Sequence, residues 1–291
     1  MLNDRPYIGR FAPSPTGSLH LGSLCTALVS FLEARTQLGL WLLRIDDLDT
    51  TRNIKGSVDN ILNTLSTFGL HWDHKEQYQS HHIKDYEEIL FELTRNQHTY
   101  ACTCNRKSLL AKQPCLCRNT LKTQKPSSLR IKINPSLISF QDQLQGLRSF
   151  QLTHQDDDFL LKRRDGIIAY QFAVVIDDNR QQVTDIVRGV DLLDSTPRQI
   201  YLQQLLGLST PNYMHLPIII DQDGNKLSKQ NHATAVDLKQ PQIVIFKLLS
   251  LLKQNPPKEI YIAPVKEQLE WAIDNWNPLP LKNLSCICNN D

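Results

Sequence analysis

The stretch GRFAPSPTGSLHLGS, Gly9 to Ser23, decides how the chain is read. A short apolar run, Tyr7 to Ala12, is stopped by Pro13 and Pro15. Thr16, Gly17, His20, Gly22 and Ser23 follow, and at Leu21 a helical apolar period begins. The pattern is strand, tight turn, helix, with small residues and a histidine at the helix start. A helix N-terminus carries unpaired N–H groups and a partial positive charge, so it attracts phosphate. Gly17 and Gly22 lack the Cβ that would hold a ligand off the backbone. By itself the stretch is equally an ordinary glycine-bearing turn.

Working outward, Leu21, Leu24, Leu28, Phe31 and Leu32 recur at helical spacing, and Gly39 is a stop signal. Leu40 to Ile45 reads as a buried strand ending in Asp46. Ile54 to Phe68 and Tyr86 to Leu93 give two more amphipathic helices. Strand, helix, strand, helix at this spacing predicts an α/β fold of Rossmann type with a parallel sheet. Around Tyr100 the pattern gives way to cysteines, basic residues and short β-like runs, Leu129 to Ile133 and Ser149 to Leu152. It returns with Gln171 to Ile176 and Val183 to Val187 as predicted strands, Pro197 to Leu206 as a helix and His215 to Ile220 as a strand. Helical patterns over Gln242 to Leu252 and Val265 to Trp276 come last, before a polar tail with Cys286 and Cys288 and an asparagine-rich end, Asn289-Asn290-Asp291, expected to fray. The expected organisation is therefore a catalytic domain whose halves are residues 1–99 and 151–235, an insertion at 100–150, and a small helical C-terminal part at 236–291.

The chain has 291 residues, of which 21% are charged and 41% hydrophobic, values ordinary for a globular protein. It shows neither a secretory h-region nor an apolar run long enough for a membrane span, so the cytoplasm is the default compartment and a monomer the default state. The net charge of +2 is unevenly spread. No acidic residue lies between Thr103 and Gln141, where Arg106, Lys107, Lys112, Arg118, Lys122, Lys125, Arg130 and Lys132 fall. Such a block is a solvated loop or a docking surface for an anionic partner.

Cys102, Cys104, Cys115 and Cys117 form C-x-C, ten residues, C-x-C. Clustered thiols in a reducing compartment favour metal over disulfides, and four thiolates satisfy a tetrahedral zinc ion that would staple a small insertion. The alternative is unrelated free thiols, which is how Cys286 and Cys288 are read. Cys25 reads as small core filler. Asp156-Asp157-Asp158 lacks metal-loop spacing and reads as a solvated loop. Lys226 and Lys229, in the loop KLSK after an apolar strand, are two cations able to close on a polyphosphate. Arg10 and Arg188 sit at strand edges, where a guanidinium caps a sheet or grips a carboxylate. Asp46 ends a strand, where open α/β sheets place ligands.

These pieces occur together and in order in one family. RFAPSPTGSLHLGS resembles the glutamate variant of the first motif of class I aminoacyl-tRNA synthetases, with His20, Gly22 and Ser23 in the HIGH positions. KLSKQ resembles the KMSKS loop. RIDD, YQFAVVIDD and VRGVDLLDSTPRQ resemble the remaining active-site segments of glutamyl-tRNA synthetases. The resemblance runs from about Tyr7 to Ala235. Only 62 residues follow Lys229, few for the anticodon-binding region of the full enzymes. The chain is thus similar to the truncated paralogues, the glutamyl-Q tRNA(Asp) synthetases. Those enzymes activate L-glutamate with ATP and attach it to queuosine at the wobble position of tRNA(Asp).

The resemblance implies roles residue by residue. Arg10 and Arg188 would hold the two carboxylates of glutamate, Arg188 that of the side chain. Asp46 would take the ammonium, Tyr170 would line the pocket, and the backbone of Arg10, Phe11, Ala12, Pro13 and Ser14 would border it. His20, Gly22 and Ser23 would meet ATP, and Lys226 and Lys229 its phosphates, with magnesium accompanying the nucleotide. His20 and Lys229 would be the catalytic pair. The family also carries zinc in the same insertion. Two positions depart from its pattern: Asp46 stands where glutamate is usual, and Cys115 where one ligand is often tyrosine. A glutamyl-tRNA synthetase reading only the acceptor stem, and a non-catalytic RNA-binding relic, are the rival readings.

Overall fold

The computed structural model describes residues 5–105, 115–119, 126–153, 157–224 and 235–289. In the first half, β1 (Ile8–Phe11), α1 (Leu21–Thr36), β2 (Leu40–Ile45), α2 (Ser57–Thr67), β3 (Gln77–Tyr78) and α3 (Ile83–Arg95) alternate as the apolar spacing predicts. In and after the insertion come β4 (Thr99–Cys102), β5 (Ser128–Ile131), β6 (Ser136–Asp142), β7 (Gly146–Leu152) and β8 (Leu160–Lys162). Then follow α4 (Tyr170–Arg180), β9 (Asp185–Gly189), α5 (Thr196–Leu205), β10 (Asn212–Leu216) and β11 (Ile218–Ile220). The last elements are α6 (Pro241–Leu251), α7 (Val265–Asn275) and β12 (Cys286–Cys288).

Two parallel strand groups meet edge to edge. In one, β1 pairs with β2 and β2 with β3, all parallel. In the other, β9 and β6 flank β10 in parallel, and β7 returns antiparallel on β6. The seam between β1 and β9 is closed by Thr184, whose amide donates to the Ile8 carbonyl at 2.9 Å while its hydroxyl accepts from the Ile8 amide at 2.8 Å. This is a Rossmann-type α/β arrangement, and the seam is where the strand order changes direction, the usual ligand position in such sheets. A separate antiparallel sheet joins β4 and β5 of the insertion to β8, which lies beyond residue 150.

Two hydrophobic cores hold the molecule together. The first gathers Leu24, Leu28 and Leu32 of α1 with Trp41 and Leu43 of β2, Ile61 and Leu65 of α2, Leu248 and Leu249 of α6, and Leu269 of α7. Each such leucine contributes about 1.5–3 kcal/mol by leaving water. The second core joins Tyr86, Leu90 and Leu93 of α3 to Ile131 and Ile133 of the insertion, Leu161 of β8, Phe172 to Ile176 of α4 and Ile200 of α5.

Three expectations need correction. Gln171 to Ile176 lies in helix α4, not in a strand. Phe172 to Asp178 are all buried, so the helix lies deep in the interior and shows no polar stripe to betray its period. The strand predicted over His215 to Ile220 is divided at Pro217 into β10 and β11, which take different partners. The polar tail that carries Cys286 and Cys288 also contributes structure, since Cys286–Cys288 pairs in parallel with Ile218–Ile220. Cys286 and Cys288 are exposed free thiols, and Cys25 is buried, its thiol pushed up to about 12 by burial.

Candidate active site

A cavity of about 850 Å³ opens at the C-terminal ends of β1 and β9. It brings together Arg10, Phe11, Ala12, Pro13, Ser14, His20, Ser23, Asp46, Tyr170 and Arg188, residues drawn from both halves of the chain. Gly22 lines a smaller adjoining recess with His20 and Ser23. Lys226 and Lys229 lie outside the described residues, as do Arg106, Lys107, Lys112, Lys122 and Lys125. The chain resumes beside the site, where Ala235 bridges to His20 and the Val236 amide donates to Leu19 at 3.2 Å.

The turn after β1 is pinned from beneath. Ser57, at the start of α2, accepts from the Gly17 amide at 2.9 Å and donates to the Gly17 carbonyl at 2.8 Å. Gly17 has φ of +122°, a conformation other residues rarely adopt. His20 caps α1, its Nδ1 accepting from the Ser23 amide at 3.2 Å. The capped N-terminus therefore faces the cavity.

Behind the cavity floor lies a buried ionic cluster. Arg10 donates from Nε and Nη2 to the two oxygens of Asp178, at 3.1 and 3.4 Å. Arg44 donates to Asp178 at 2.7 Å and to Asp46 at 2.8 Å. Burial alone would lift the Asp178 carboxyl, but Arg10 and Arg44 outweigh it and hold it below the usual range. Asp46 fares differently. Burial pushes its carboxyl up to about 6; Arg44 opposes the rise, whereas Asp177 and Asp178 add to it. Among the described residues Asp46 thus has one arginine partner, shared with Asp178, and it stands open to a further cation from the cavity side.

Arg188, on β9, is 4% exposed and held by neighbours that sequence reading missed. Its Nε donates to His215 Nε2 at 3.1 Å, Nη1 to Gln199 at 2.7 Å and Nη2 to Thr196 at 2.7 Å. Register explains the first contact, because His215 lies directly opposite Arg188 on the adjacent strand β10. His215 Nδ1 in turn meets Asp142 at 2.6 Å. Thr26, Arg52 and Asp191 also line the cavity unforeseen. The signals for the buried pair were thin: one histidine in an apolar strand, and one aspartate before a turn.

In the insertion the four cysteines converge. Cys115 Sγ lies 3.5 Å from Cys102 and 3.7 Å from Cys104, and Cys104 lies 3.7 Å from Cys117. All four sulfurs fall within 4.8 Å of one another. Zinc bound to four thiolates at about 2.3 Å sets sulfurs about 3.8 Å apart, so the donor set fits that ion in number, kind and spacing. Asp158 was expected in a solvated loop, yet it is buried, paired with Arg118 and accepting from the Ile133 amide at 2.7 Å. Asp157 likewise receives Arg198 at 2.9 Å. Asp156 lies outside the described residues.

The nucleotide-type fold, the capped first helix and the two buried arginines agree with the family model for class I tRNA synthetases (E and Q), catalytic domain, which matches residues 8–244. The chain belongs to that family of aminoacyl-tRNA synthetases. Among its relatives, the glutamyl-Q tRNA(Asp) synthetase of Ectopseudomonas mendocina is 45% identical over 276 residues, covering 94% of each chain. That of Photobacterium profundum is 41% identical over 279 residues, 95% of this chain and 90% of its own. A glutamate tRNA ligase from Elizabethkingia meningosepticum, solved with its amino acid, shares the fold at a TM-score of 0.80 and 23% identity, over 98% of this chain and 67% of that one. No helix among the described residues is long and apolar enough to cross a membrane.

Proposed function

We propose that this chain activates L-glutamate with ATP and transfers it to queuosine in tRNA(Asp), working in the cytoplasm as a monomer. The near full-length likeness to glutamyl-Q tRNA(Asp) synthetases supports this reading. The observation that carries it at the site is one cavity holding two buried guanidiniums and one underpaired carboxylate. That is the complement of an amino acid with two carboxylates and one ammonium.

In this reading Arg188 grips the side-chain carboxylate, Asp46 takes the ammonium, and Tyr170 and the backbone from Arg10 to Ser14 shape the pocket. Arg10 faces the α-carboxylate while Asp178 holds its far side. The helix N-terminus at His20, with Gly22 and Ser23, receives the ATP phosphates, and Lys226 and Lys229 would neutralise them, with magnesium accompanying the nucleotide. A glutamate α-carboxylate oxygen attacks the α-phosphorus, and the bond to pyrophosphate breaks. The nucleophile is already ionised, so positioning and neutralisation of charge are the main tasks. A cyclopentenediol hydroxyl of queuosine then attacks the acyl carbonyl, and AMP leaves. Zinc held by Cys102, Cys104, Cys115 and Cys117 would be structural. The basic insertion would meet RNA phosphates, although two of its described cations, Arg118 and Arg130, are held inward by Asp158.

The test is glutamate transfer to tRNA(Asp) with and without queuosine. Labelled glutamate should remain with an anticodon-stem fragment and require the modified base. An ester carried on the terminal adenosine would overturn the reading.

A further inference from the structure

We infer that the buried pair His215–Asp142 is a positioning unit that fixes the guanidinium plane of Arg188 and so sharpens the choice of glutamate over glutamine. This rests on the proposed role of Arg188 toward the substrate side chain. The proton positions follow from chemistry. Arginine Nε can only donate, so His215 Nε2, 3.1 Å away, must present a lone pair. Asp142 Oδ1 already accepts from the amides of Leu144, Gln145 and His215, at 3.0, 2.8 and 3.3 Å. Its Oδ2 lies 2.6 Å from His215 Nδ1 and accepts from it. The ring is therefore the neutral Nδ1–H form, and both side chains are fully buried. Burial favours the same state by pushing His215 below its ordinary range, with Arg188 adding to this and Asp142 opposing.

The geometry then leaves Arg188 with a defined face. Of its five N–H groups, one goes to His215, one to Gln199 and one to Thr196. Gln199 is itself held by Gln171 at 2.8 Å, and the Tyr213 ring lies 5.3 Å from the guanidinium carbon. One N–H remains on each terminal nitrogen, which is the pair a bidentate carboxylate requires. A glutamine amide would set its NH2 against one of those donors, and a fixed fork cannot turn away. Were the proton on Nε2, it would face the Arg188 Nε–H or turn to the Thr196 hydroxyl 3.1 Å away, and Arg188 would keep only its contacts to Gln199 and Thr196.

Three variants separate these possibilities. Asp142→Asn keeps shape and its backbone-accepting oxygen, but its amide nitrogen forces the His215 proton to Nε2. His215→Ala removes the acceptor, and His215→Gln returns an oxygen near the Nε2 position. The readouts are ring ¹⁵N shifts of His215, and pyrophosphate exchange driven by glutamate or glutamine with KM measured separately for each amino acid and for ATP. The wild-type ring should report Nδ1–H and the Asp142→Asn ring Nε2–H. Asp142→Asn and His215→Ala should raise the glutamate KM roughly tenfold or more and narrow glutamate/glutamine discrimination, with the ATP KM within about twofold, as loss of a buried supporting partner does. His215→Gln should recover most of the loss. An Nε2–H or doubly protonated ring in the wild type overturns the inference. So does a glutamate KM unmoved in Asp142→Asn, or an ATP KM that rises in step. A wild type showing the Nδ1–H ring but no glutamate-driven exchange would overturn the activation reading and this specificity claim with it; the spectrum distinguishes that failure from a wrong hydrogen-bond assignment.

Discussion

Asp46 shows how a buried carboxylate lining a cavity can weaken the fold that carries it. The carboxylate is 7% exposed and shares its arginine with Asp178. Burial raises it from the ordinary 3.8 to about 6. An acid whose folded pKa lies above its unfolded one binds more protons when folded, so stability is greatest below about 3.8 and falls until about 6. Above that pH the ionised group costs on the order of 3 kcal/mol. Asp46→Asn should therefore melt a few degrees above wild type at pH 8 and level with it near pH 4, as scanning calorimetry would record. The same variant should lose about 3 kcal/mol of glutamate-dependent kcat/KM, because the ammonium forfeits its buried partner. A variant with unchanged glutamate kinetics would remove Asp46 from the site. Lys229→Ala gives the complementary result in pyrophosphate exchange: activation should fall about a hundredfold or more with little change in melting, as for loss of one transition-state charge contact. An unchanged rate would strike Lys229 from the catalytic pair.

At the scale of elements, the turn from α1 into β2 explains why Gly39 is more than a helix stop. A Cβ there would lie 2.4 Å from the Tyr7 carbonyl oxygen and 2.7 Å from Tyr7 Cβ. That carbonyl also accepts from the Leu40 amide at 2.9 Å, so β1 cannot step aside without breaking its junction with β2. Gly39→Ala should cost about 2 kcal/mol or more, seen as a lower urea midpoint at unchanged slope. An unshifted midpoint would mean that the turn yields freely. The reading of Gly39 marks where sequence stops informing. Its position after an apolar period was legible; the strand lying against it was not. The same holds for α4, whose run of buried residues has no period to reveal a helix. Local motifs such as APSPTG and HLGS marked the cavity wall, because turn chemistry is written in adjacent residues. Partners such as Asp178 for Arg10 and His215 for Arg188 come from strand order and register, which no local pattern encodes.

Across the whole molecule, the two cores gather different parts of the chain. The first is built from both ends of the described chain, since α6 and α7 pack on the same core as α1 and β2, and Trp276 donates to the buried Glu33 of α1. The cysteine cluster lies apart from it, beside the second core. All four tryptophans, Trp41, Trp72, Trp271 and Trp276, belong to the first core or pack against it. Tryptophan fluorescence therefore reports that core alone, while amide exchange in β4 and β5 reports the insertion. Metal analysis after mild purification should find about one zinc per chain, and Cys104→Ser should lower that occupancy. Removing the metal with a chelator should speed amide exchange in Thr99–Cys102 and Ser128–Ile131, because ligation is what fixes so small a unit. The urea midpoint by tryptophan fluorescence should stay in place, and so should glutamate-driven pyrophosphate exchange, whose proposed residues are held by the seam between β1 and β9. Transfer to tRNA, which the proposed function assigns in part to the basic insertion, should fall. If fluorescence midpoint and exchange shifted together, the two cores would be one cooperative unit, and the zinc would support the catalytic seam as well as the surface for RNA.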